Sequence, residues 1–155
     1  MPLRKLEEFL NSHSIKYATI VHPQAFTAQE IAAAAHIPGK ELAKTVIAKI
    51  DGKMAMAVLP AAHRVDFDLL KAATGARKVE MAKEQEFQDM FPDCEVGAMP
   101  PFGNLYEIEV LVEESLTQNE EIAFNAGSHT ELIRLLYKDF EIHVHPKVVK
   151  ISSKP

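Results

Sequence analysis

The sequence has little of what disulfide-rich, secreted or membrane-spanning proteins require. Its one cysteine, Cys94, excludes an intramolecular disulfide and suits a reducing compartment. No apolar run approaches the roughly 20 residues that cross a bilayer, so no contact with a membrane is expected. The N-terminal stretch is charged and amphipathic and does not resemble a signal peptide. Together these features predict a cytoplasmic protein.

Basic charge is also scarce, because 17 lysines and arginines stand against 22 acidic residues, for a net charge of −5. Proteins that coat DNA or RNA gain affinity by neutralising many phosphates, and the acidic balance argues against that role. DNA is therefore not an expected partner. A short nucleic-acid end stays possible, since a few lysines in a pocket suffice to bind it.

Familiar catalytic motifs are absent as well. The sequence has no Walker loop, G-x-G-x-x-G, HExxH, G-x-S-x-G or paired C-x-x-C. His143 and His145, two residues apart on a predicted helix, do not share a face and so do not chelate one ion. Cys94 has no histidine near it in a recognised pattern, which favours a partly buried thiol over a nucleophile. We expect neither a metal nor a cofactor.

What is present is a mixture of helix and strand patterns over one domain, residues 1–155. Periodicity, capping residues and stop signals predict helices at 3–11, 28–36, 67–74, 83–90 and 137–145. Short apolar or alternating runs predict strands at 15–21, 42–50, 53–60, 76–81, 105–112 and 121–125. Asp51-Gly52 is a strong signal for a two-residue hairpin turn. Because the elements follow no regular βαβ rhythm, the predicted class is α+β with a mixed sheet.

Residues 124–135, FNAGSHTELIRL, fit two structures. Ser128-x-x-Glu131 is a capping box, and Leu132 and Leu135 follow at helical spacing, which indicates a helix. An apolar run, a connection containing Gly127 and a second short run indicate a hairpin instead. The pattern alone does not separate the two.

Lys44 and the loop GAMPPFG are two further candidates for function, and each also has an ordinary structural explanation. Lys44 opens a predicted apolar strand, where a lysine usually extends its amine to solvent. In the loop GAMPPFG, Pro100 and Pro101 stiffen the chain, while Gly97 and Gly103 permit close backbone approach. Such a loop is either a rigid connector or a binder of a carbonyl oxygen or an anion.

Taken together, AKT (43–45), GAMPPFG (97–103) and NAGSH (125–129) resemble, in this order, the YbaK/prolyl-tRNA-synthetase-associated editing domain. The helix TAQEIAAAAHI and the segment DFEIHVHPKV extend the resemblance over nearly the whole chain, as a free-standing member. The resemblance implies a single compact α+β domain with a mixed, partly barrel-like β-sheet flanked by helices. It also implies that residues 130–135 form a strand, which favours the hairpin.

The resemblance implies hydrolysis of the ester that links a wrong amino acid to the terminal adenosine of a tRNA, commonly tRNA(Pro) carrying alanine or cysteine. The implied partners are the acceptor end of a mischarged aminoacyl-tRNA and a prolyl-tRNA synthetase. The alternative is a non-catalytic module that binds a tRNA 3′ end or a synthetase. By resemblance, the catalytic residues are Lys44 and His129, and the substrate-binding residues are Gly97, Pro100, Pro101, Phe102, Gly103, Gly127 and Ser128.

No nucleophile–base pair is convincing in the sequence, so the attacking group in such a reaction is expected to be water. Lys44 suits the terminal phosphate or a developing oxyanion. Backbone N–H groups of the loop at 97–103 suit the scissile carbonyl. His129 is expected to orient the water or a ribose hydroxyl, or to narrow the pocket. The expected pocket walls, with core packing as their alternative, are Met54, Met56, Val58, Met99 and Phe102.

Overall fold

The computed structural model describes residues 3–154, apart from the side chain of Ala28, so both ends of the predicted domain 1–155 lie outside the described residues. The helices are α1 (Arg4–Ser12), α2 (Ala28–Ala35), α3 (Phe67–Thr74), α4 (Glu84–Phe87) and α5 (Tyr137–Val144). The strands are β1 (Tyr17–Val21), β2 (Leu42–Ile50), β3 (Lys53–Pro60), β4 (Arg64–Val65), β5 (Val79–Met81), β6 (Glu109–Glu113), β7 (Glu121–Asn125), β8 (Glu131–Leu136), β9 (Lys147–Val149) and β10 (Ser152–Ser153). No helix within this part of the chain combines the length and apolar character of a membrane span.

Most strands belong to one mixed sheet. Its order is β1-β8-β7-β2-β3-β6-β9, and β5 pairs with the far end of β2. The pairs β2–β7, β3–β6 and β6–β9 are parallel, whereas β1–β8, β7–β8, β2–β3 and β2–β5 are antiparallel. The predicted α+β class with a mixed sheet flanked by helices is therefore confirmed.

Local chemistry accounts for several element ends. The Thr27 hydroxyl accepts the Glu30 N–H at 3.1 Å, which caps the first turn of α2. Asp66 caps α3 in the same way, and Gly75 ends it in the left-handed conformation. Asp51 and Gly52 both have positive φ, as a tight hairpin turn between β2 and β3 requires.

The core has three parts. The largest lies between one sheet face and α1, α5 and the loop at 91–102, where the ring of Phe102 packs against those of Phe124 and Phe140. A second part lies under α2 and includes Ile31 and Leu132. The third lies under α3 around Leu70. The sheet is thus buried on both faces, and its functional groups lie near strand ends.

A buried carboxylate fastens the C-terminal segment to the sheet. Glu113, at the end of β6, is 3% exposed. It accepts the N–H groups of Ile151 at 2.9 Å, Ser152 at 3.0 Å and Ser115 at 3.0 Å. Burial alone would raise the pKa of this carboxyl, but the three donors outweigh burial and lower the pKa overall.

The hairpin at residues 124–135 is confirmed, and the helix is wrong. β7 and β8 pair antiparallel, with Phe124 opposite Ile133 and Asn125 opposite Leu132. β8 also pairs with β1 on its other side. These two ladders place β8 between β7 and β1, and a helix here would leave the facing backbone groups of both strands unpaired.

Three predicted elements differ most from those in the structure. Only Val79–Met81 of the predicted strand 76–81 is paired, and the predicted helix 83–90 is α4 followed by a 3₁₀ turn, Gln88–Met90. The predicted strand 105–112 begins only at Glu109. The carbonyl of Gly103 accepts the N–H groups of Tyr106 and Ile108, which holds the preceding residues in a turn.

Candidate functional site

The GAMPPFG loop and the NAGSH turn are joined by hydrogen bonds. The Gly127 N–H donates to the Ala98 carbonyl at 2.9 Å, and the Glu95 N–H donates to the Gly127 carbonyl at 2.8 Å. The His129 N–H donates to the Glu95 carboxylate at 3.1 Å. The two segments, about 30 residues apart in sequence, therefore form one rigid unit at the end of β7.

His129 is 7% exposed and lies inside this unit. Its Nε2 is 2.8 Å from the Val96 carbonyl and 3.8 Å from the Glu95 carboxylate. The ring of Phe26 packs on it with centroids 5.0 Å apart, although Phe26 itself is 67% exposed. The imidazole is thus held on two sides, and its other nitrogen, Nδ1, is buried without a hydrogen-bond partner among the described residues.

Gly97 begins the loop with φ +83°, a conformation that favours glycine. A Cβ atom there would lie 3.6 Å from the Cε1 of His129, which is ordinary contact. Pro100 and Pro101 are buried and fix the path that follows. The N–H groups of Gly97 and Met99 donate to no protein acceptor among residues 3–154. These two backbone donors of the loop therefore remain unpaired within the described residues.

The other predicted loop residues serve packing. Phe102 is fully buried among the rings of Phe9, Phe124 and Phe140. A Cβ on Gly103 would overlap the Ile108 carbonyl oxygen, so only glycine fits this position. The expected pocket walls Met56, Val58 and Met99 are core residues too, and Met54 is a partly buried residue packed against them, which supports the packing alternative for this set.

In the turn, Gly127 has φ +101°, and a Cβ there would lie 3.1 Å from the Leu3 Cβ. The Leu3 N–H donates to the Ala126 carbonyl at 2.8 Å, which brings the start of the chain against the turn. The Ser128 hydroxyl lies 3.3 Å from the Thr130 hydroxyl and 3.5 Å from the Glu131 carboxylate. Ser128 therefore hydrogen-bonds within its own turn.

Lys44 lies beside this unit in the sheet. Ala43 pairs with Phe124 in the parallel β2–β7 ladder, so the next position places Lys44 beside Asn125, where the turn begins. Lys44 is half-buried, and it has no ion-pair partner within the described chain. Lys49, on the same strand, is instead paired with Glu80 and Glu86. The sheet thus delivers an uncompensated ammonium group to the edge of the site.

Burial lowers the pKa of Lys44, and the nearby positive charge of Arg64 lowers it further. An anion bound here would relieve both effects. The depression beside Lys44 has a volume of about 270 Å³ and is lined by Lys44, Val46, Arg64, Val65, Phe67 and Met81. It combines an apolar surface with two cations.

Cys94 and the histidine pair are separate from this site. The Cys94 thiol is half-buried 3.5 Å from the Tyr106 hydroxyl, and burial raises its pKa, which disfavours the thiolate. His143 packs against His13 with ring centroids 5.0 Å apart, whereas His145 ends α5 in the left-handed conformation. In residues 3–154, no group of three or more His, Cys, Asp or Glu side chains is arranged to hold a metal ion.

The sequence did not single out Glu95, Phe26 or Arg64 as site residues. Each contacts or faces a predicted residue from a distant part of the chain, and none belongs to a motif. Glu95 directly precedes the loop, but a surface glutamate beside a loop carries no signal of its own.

A family model described as the aminoacyl-tRNA editing domain matches residues 22–141, which include Lys44, the loop and the turn. A proline–tRNA ligase of Bacillus mycoides is 26% identical over 97 residues, which cover 63% of this chain and 17% of the ligase. The chain therefore matches about a sixth of the length of that relative.

Solved structures share the fold. The crystal structure of a hypothetical protein superposes with a TM-score of 0.86 at 20% identity and covers 97% of this chain and 100% of its own. A protein described as a candidate trans-editing enzyme for prolyl tRNA synthetase has a TM-score of 0.82 at 18% identity and covers 97% of this chain and 96% of its own.

Proposed function

The chain belongs to the aminoacyl-tRNA editing domain family, and on that premise we propose that it hydrolyses the ester bond of a mischarged aminoacyl-tRNA. The resemblance noted in the sequence is thereby confirmed at the level of the family. The proposed substrate is tRNA(Pro) carrying alanine or cysteine, which the similarity to proline–tRNA ligases supports. The reaction would take place in the cytoplasm, and a prolyl-tRNA synthetase is the proposed partner.

One observation carries the proposal: the loop and the turn form a hydrogen-bonded unit at the strand end where Lys44 lies. This arrangement sets unpaired backbone donors, an imidazole and an ammonium group at one edge of the sheet. Ester hydrolysis by water needs donors for the developing oxyanion and a group that positions the reactants.

In the proposed reaction, the N–H groups of Gly97 and Met99 donate to the scissile carbonyl oxygen as it gains negative charge. One such donor is typically worth about 3 kcal/mol in the transition state. Gly97 suits this task because its positive φ turns the backbone, and the prolines that follow hold it in place. Water attacks the carbonyl carbon, the bond from that carbon to the ribose oxygen breaks, and the ribose oxygen takes up the proton that the water gives up.

Lys44 binds the phosphate that precedes the terminal adenosine, because its amine is half-buried and lacks an ion-pair partner in the described chain. Arg64, in the same depression, adds a second positive charge for the nucleic-acid backbone. A few cations at a pocket suffice for a tRNA end, even though the whole chain carries a net charge of −5.

Pocket size would provide selectivity. A synthetase site built for proline cannot strongly reject a smaller amino acid, since one methylene is worth about 1–3 kcal/mol. A second site that admits the wrong amino acid and excludes proline supplies the missing discrimination. The rigid union of loop and turn gives that second site a fixed width.

The test is a panel of tRNA(Pro) charged with alanine, cysteine, serine or proline and incubated with the purified protein. We expect loss of the alanyl or cysteinyl ester and survival of the prolyl ester. Tight tRNA binding without loss of any ester would favour a non-catalytic binding module instead. Equal hydrolysis of all four esters would contradict the proposed selectivity.

A further inference from the structure

Buried acceptor atoms without a donor are concentrated at one end of the sheet. Four buried side-chain atoms in residues 3–154 lack a hydrogen-bond partner, and three of them are His22 Nε2, Asn125 Oδ1 and His129 Nδ1. The fourth, the hydroxyl of Ser115, lies elsewhere. Native proteins rarely leave such groups unpaired, so a cluster of three calls for an explanation.

The two histidines are acceptors at these atoms. His22 Nδ1 is 2.8 Å from the Pro23 carbonyl, and His129 Nε2 is 2.8 Å from the Val96 carbonyl. Because a carbonyl oxygen only accepts, the bonded nitrogen carries the proton in each ring. In the neutral ring the other nitrogen then carries a lone pair and accepts a hydrogen bond. His22 is 5% exposed and His129 is 7% exposed, so solvent does not supply the missing donors.

The three residues lie on neighbouring strands. The His22 N–H donates to the Thr130 carbonyl at 2.9 Å, which extends the β1–β8 ladder to the residue after His129. Ile20, Leu132 and Asn125 form one cross-strand row, and His22 follows Ile20 by two positions on the same face. Strands lie about 4.8 Å apart, so β1 and β7 are separated by about 10 Å. β8 fills this interval and pairs with both strands.

The same face continues to Lys44. Leu42 pairs with Ala123 and both belong to the core under α2, as does Leu132. Lys44 follows Leu42 by two positions and lies beside Asn125. Asn125 therefore lies between the Lys44 cation on one side and the acceptor atoms of the two histidines on the other. The histidine side also carries the Glu95 carboxylate, 3.8 Å from His129 Nε2, which favours a positively charged ligand.

We propose that His22, Asn125 and His129 form the subsite for the α-ammonium group of the aminoacyl ester, an inference that rests on the proposed function. An α-ammonium group has three N–H donors and one positive charge, which match three acceptors beside a carboxylate. Its binding orients the acyl group, so that the carbonyl meets the loop while the terminal phosphate meets Lys44. Phe26 covers His129, and its 67% exposure means that little packing opposes its displacement by the substrate.

The first test changes the substrate and not the protein. Alanyl-tRNA(Pro) is compared with lactyl-tRNA(Pro), in which a hydroxyl replaces the α-amino group. Each rate of hydrolysis is divided by the rate at which the same ester hydrolyses without the protein. We expect kcat/KM to favour the alanyl ester by about 100-fold, since a site built for a polar group rejects an analogue that lacks it. Equal corrected rates overturn the subsite and leave the proposed function standing. Hydrolysis of neither ester, nor of any member of the panel, overturns both.

The second test assigns the preference to residues. His22→Leu and Asn125→Leu remove an acceptor, whereas His22→Gln and Asn125→Asp retain one. We expect the leucine variants to lose most of the preference for the alanyl ester and the matched polar variants to keep it. His145→Asn, at the exposed end of α5, is the unrelated control, because asparagine tolerates the left-handed conformation there.

A purely structural role would slow both esters equally and leave their ratio unchanged, which would overturn the proposal. Substrates ending in 2′-deoxyadenosine test an alternative, namely that the three acceptors bind the vicinal hydroxyl of the terminal ribose and not the ammonium group. If the leucine variants abolish discrimination between ribose and deoxyribose while the amine preference survives, the acceptors bind the ribose, and the proposal is wrong.

Discussion

The Nε2 atom of His129 lies 2.8 Å from the carbonyl oxygen of Val96, the residue directly before the GAMPPFG loop. This contact links the turn after β7 to the start of that loop. It adds a side-chain bond to the backbone bonds that Gly127 makes with Glu95 and Ala98. The imidazole therefore supports the loop, while its Nδ1 is buried and has no hydrogen-bond partner in the described residues. Its removal affects stability and rate together.

His129→Ala is expected to lower the deacylation rate of mischarged tRNA(Pro) by about 10- to 100-fold, because the loop loses its side-chain support and the site loses an acceptor. The free energy of unfolding is expected to fall by about 1 kcal/mol for the lost bond to Val96. Single-turnover rates and urea unfolding measure the two effects. Unchanged rates on both alanyl- and prolyl-tRNA(Pro) would exclude a role for His129 in the site.

Gly97→Ala separates backbone strain from function. Its φ of +83° disfavours alanine, while the nearest side-chain atom, His129 Cε1, leaves room at 3.6 Å. We expect a stability loss of about 1 kcal/mol from strain alone and a much larger loss of deacylation, because the proposed oxyanion donors shift. Thermal unfolding and kcat/KM on alanyl-tRNA(Pro) are the measurements.

Gly52 offers a matched control for that variant. It has φ +81° in the β2–β3 turn, and an added Cβ there meets nothing within 4 Å. Gly52→Ala should cost a similar amount of stability and leave deacylation unchanged. Equal activity in the two variants would mean that the Gly97 backbone takes no part in the reaction.

Lys44→Ala is expected to reduce deacylation at least about 100-fold, the loss typical of removing one donor to a developing or bound charge. The variant should be as stable as the original protein or more so, because burial lowers the pKa of Lys44 and so disfavours its charged form in the fold. Lys49→Ala, on the same strand but paired with Glu80 and Glu86, should retain full activity. Similar activity losses in both variants would point to a general effect of strand charge.

Local signals made much of the fold predictable. The Asp51-Gly52 turn and the Asp66 cap act within a few residues, so sequence and structure agree there. The segment after Asn125 was ambiguous because Ser128 and Glu131 imitate a capping box. Its strand depends on pairing with β1 and β7, and β1 lies more than 100 residues away. Long-range pairing of this kind leaves no local mark.

The site was predictable only as a set of motifs. Lys44, Gly97 and His129 were found through the family resemblance, and the structure joins the last two directly. The sequence did not indicate the unpaired Nε2 of His22 or the carboxylate of Glu95 as site groups, because the role of each depends on neighbours distant in sequence. Phe102 carried a binding assignment from its motif, whereas its complete burial gives it a packing role.

Glu113→Gln tests the attachment of the C-terminal segment and its pH dependence. The folded state lowers the pKa of Glu113, so the stabilisation is fully present above the unfolded-state pKa of about 4.3 and is lost as pH falls through the lower folded-state value. At pH 7 we expect the variant to be less stable by about 1–3 kcal/mol, because a neutral amide replaces a carboxylate that accepts three N–H groups. Denaturant unfolding at several pH values should show this difference shrinking in acid. Glu114→Gln, at the exposed neighbouring position, is the control and should not change the free energy of unfolding. If the stability difference between Glu113→Gln and the original protein persists unchanged in acid, the charge-based account is wrong.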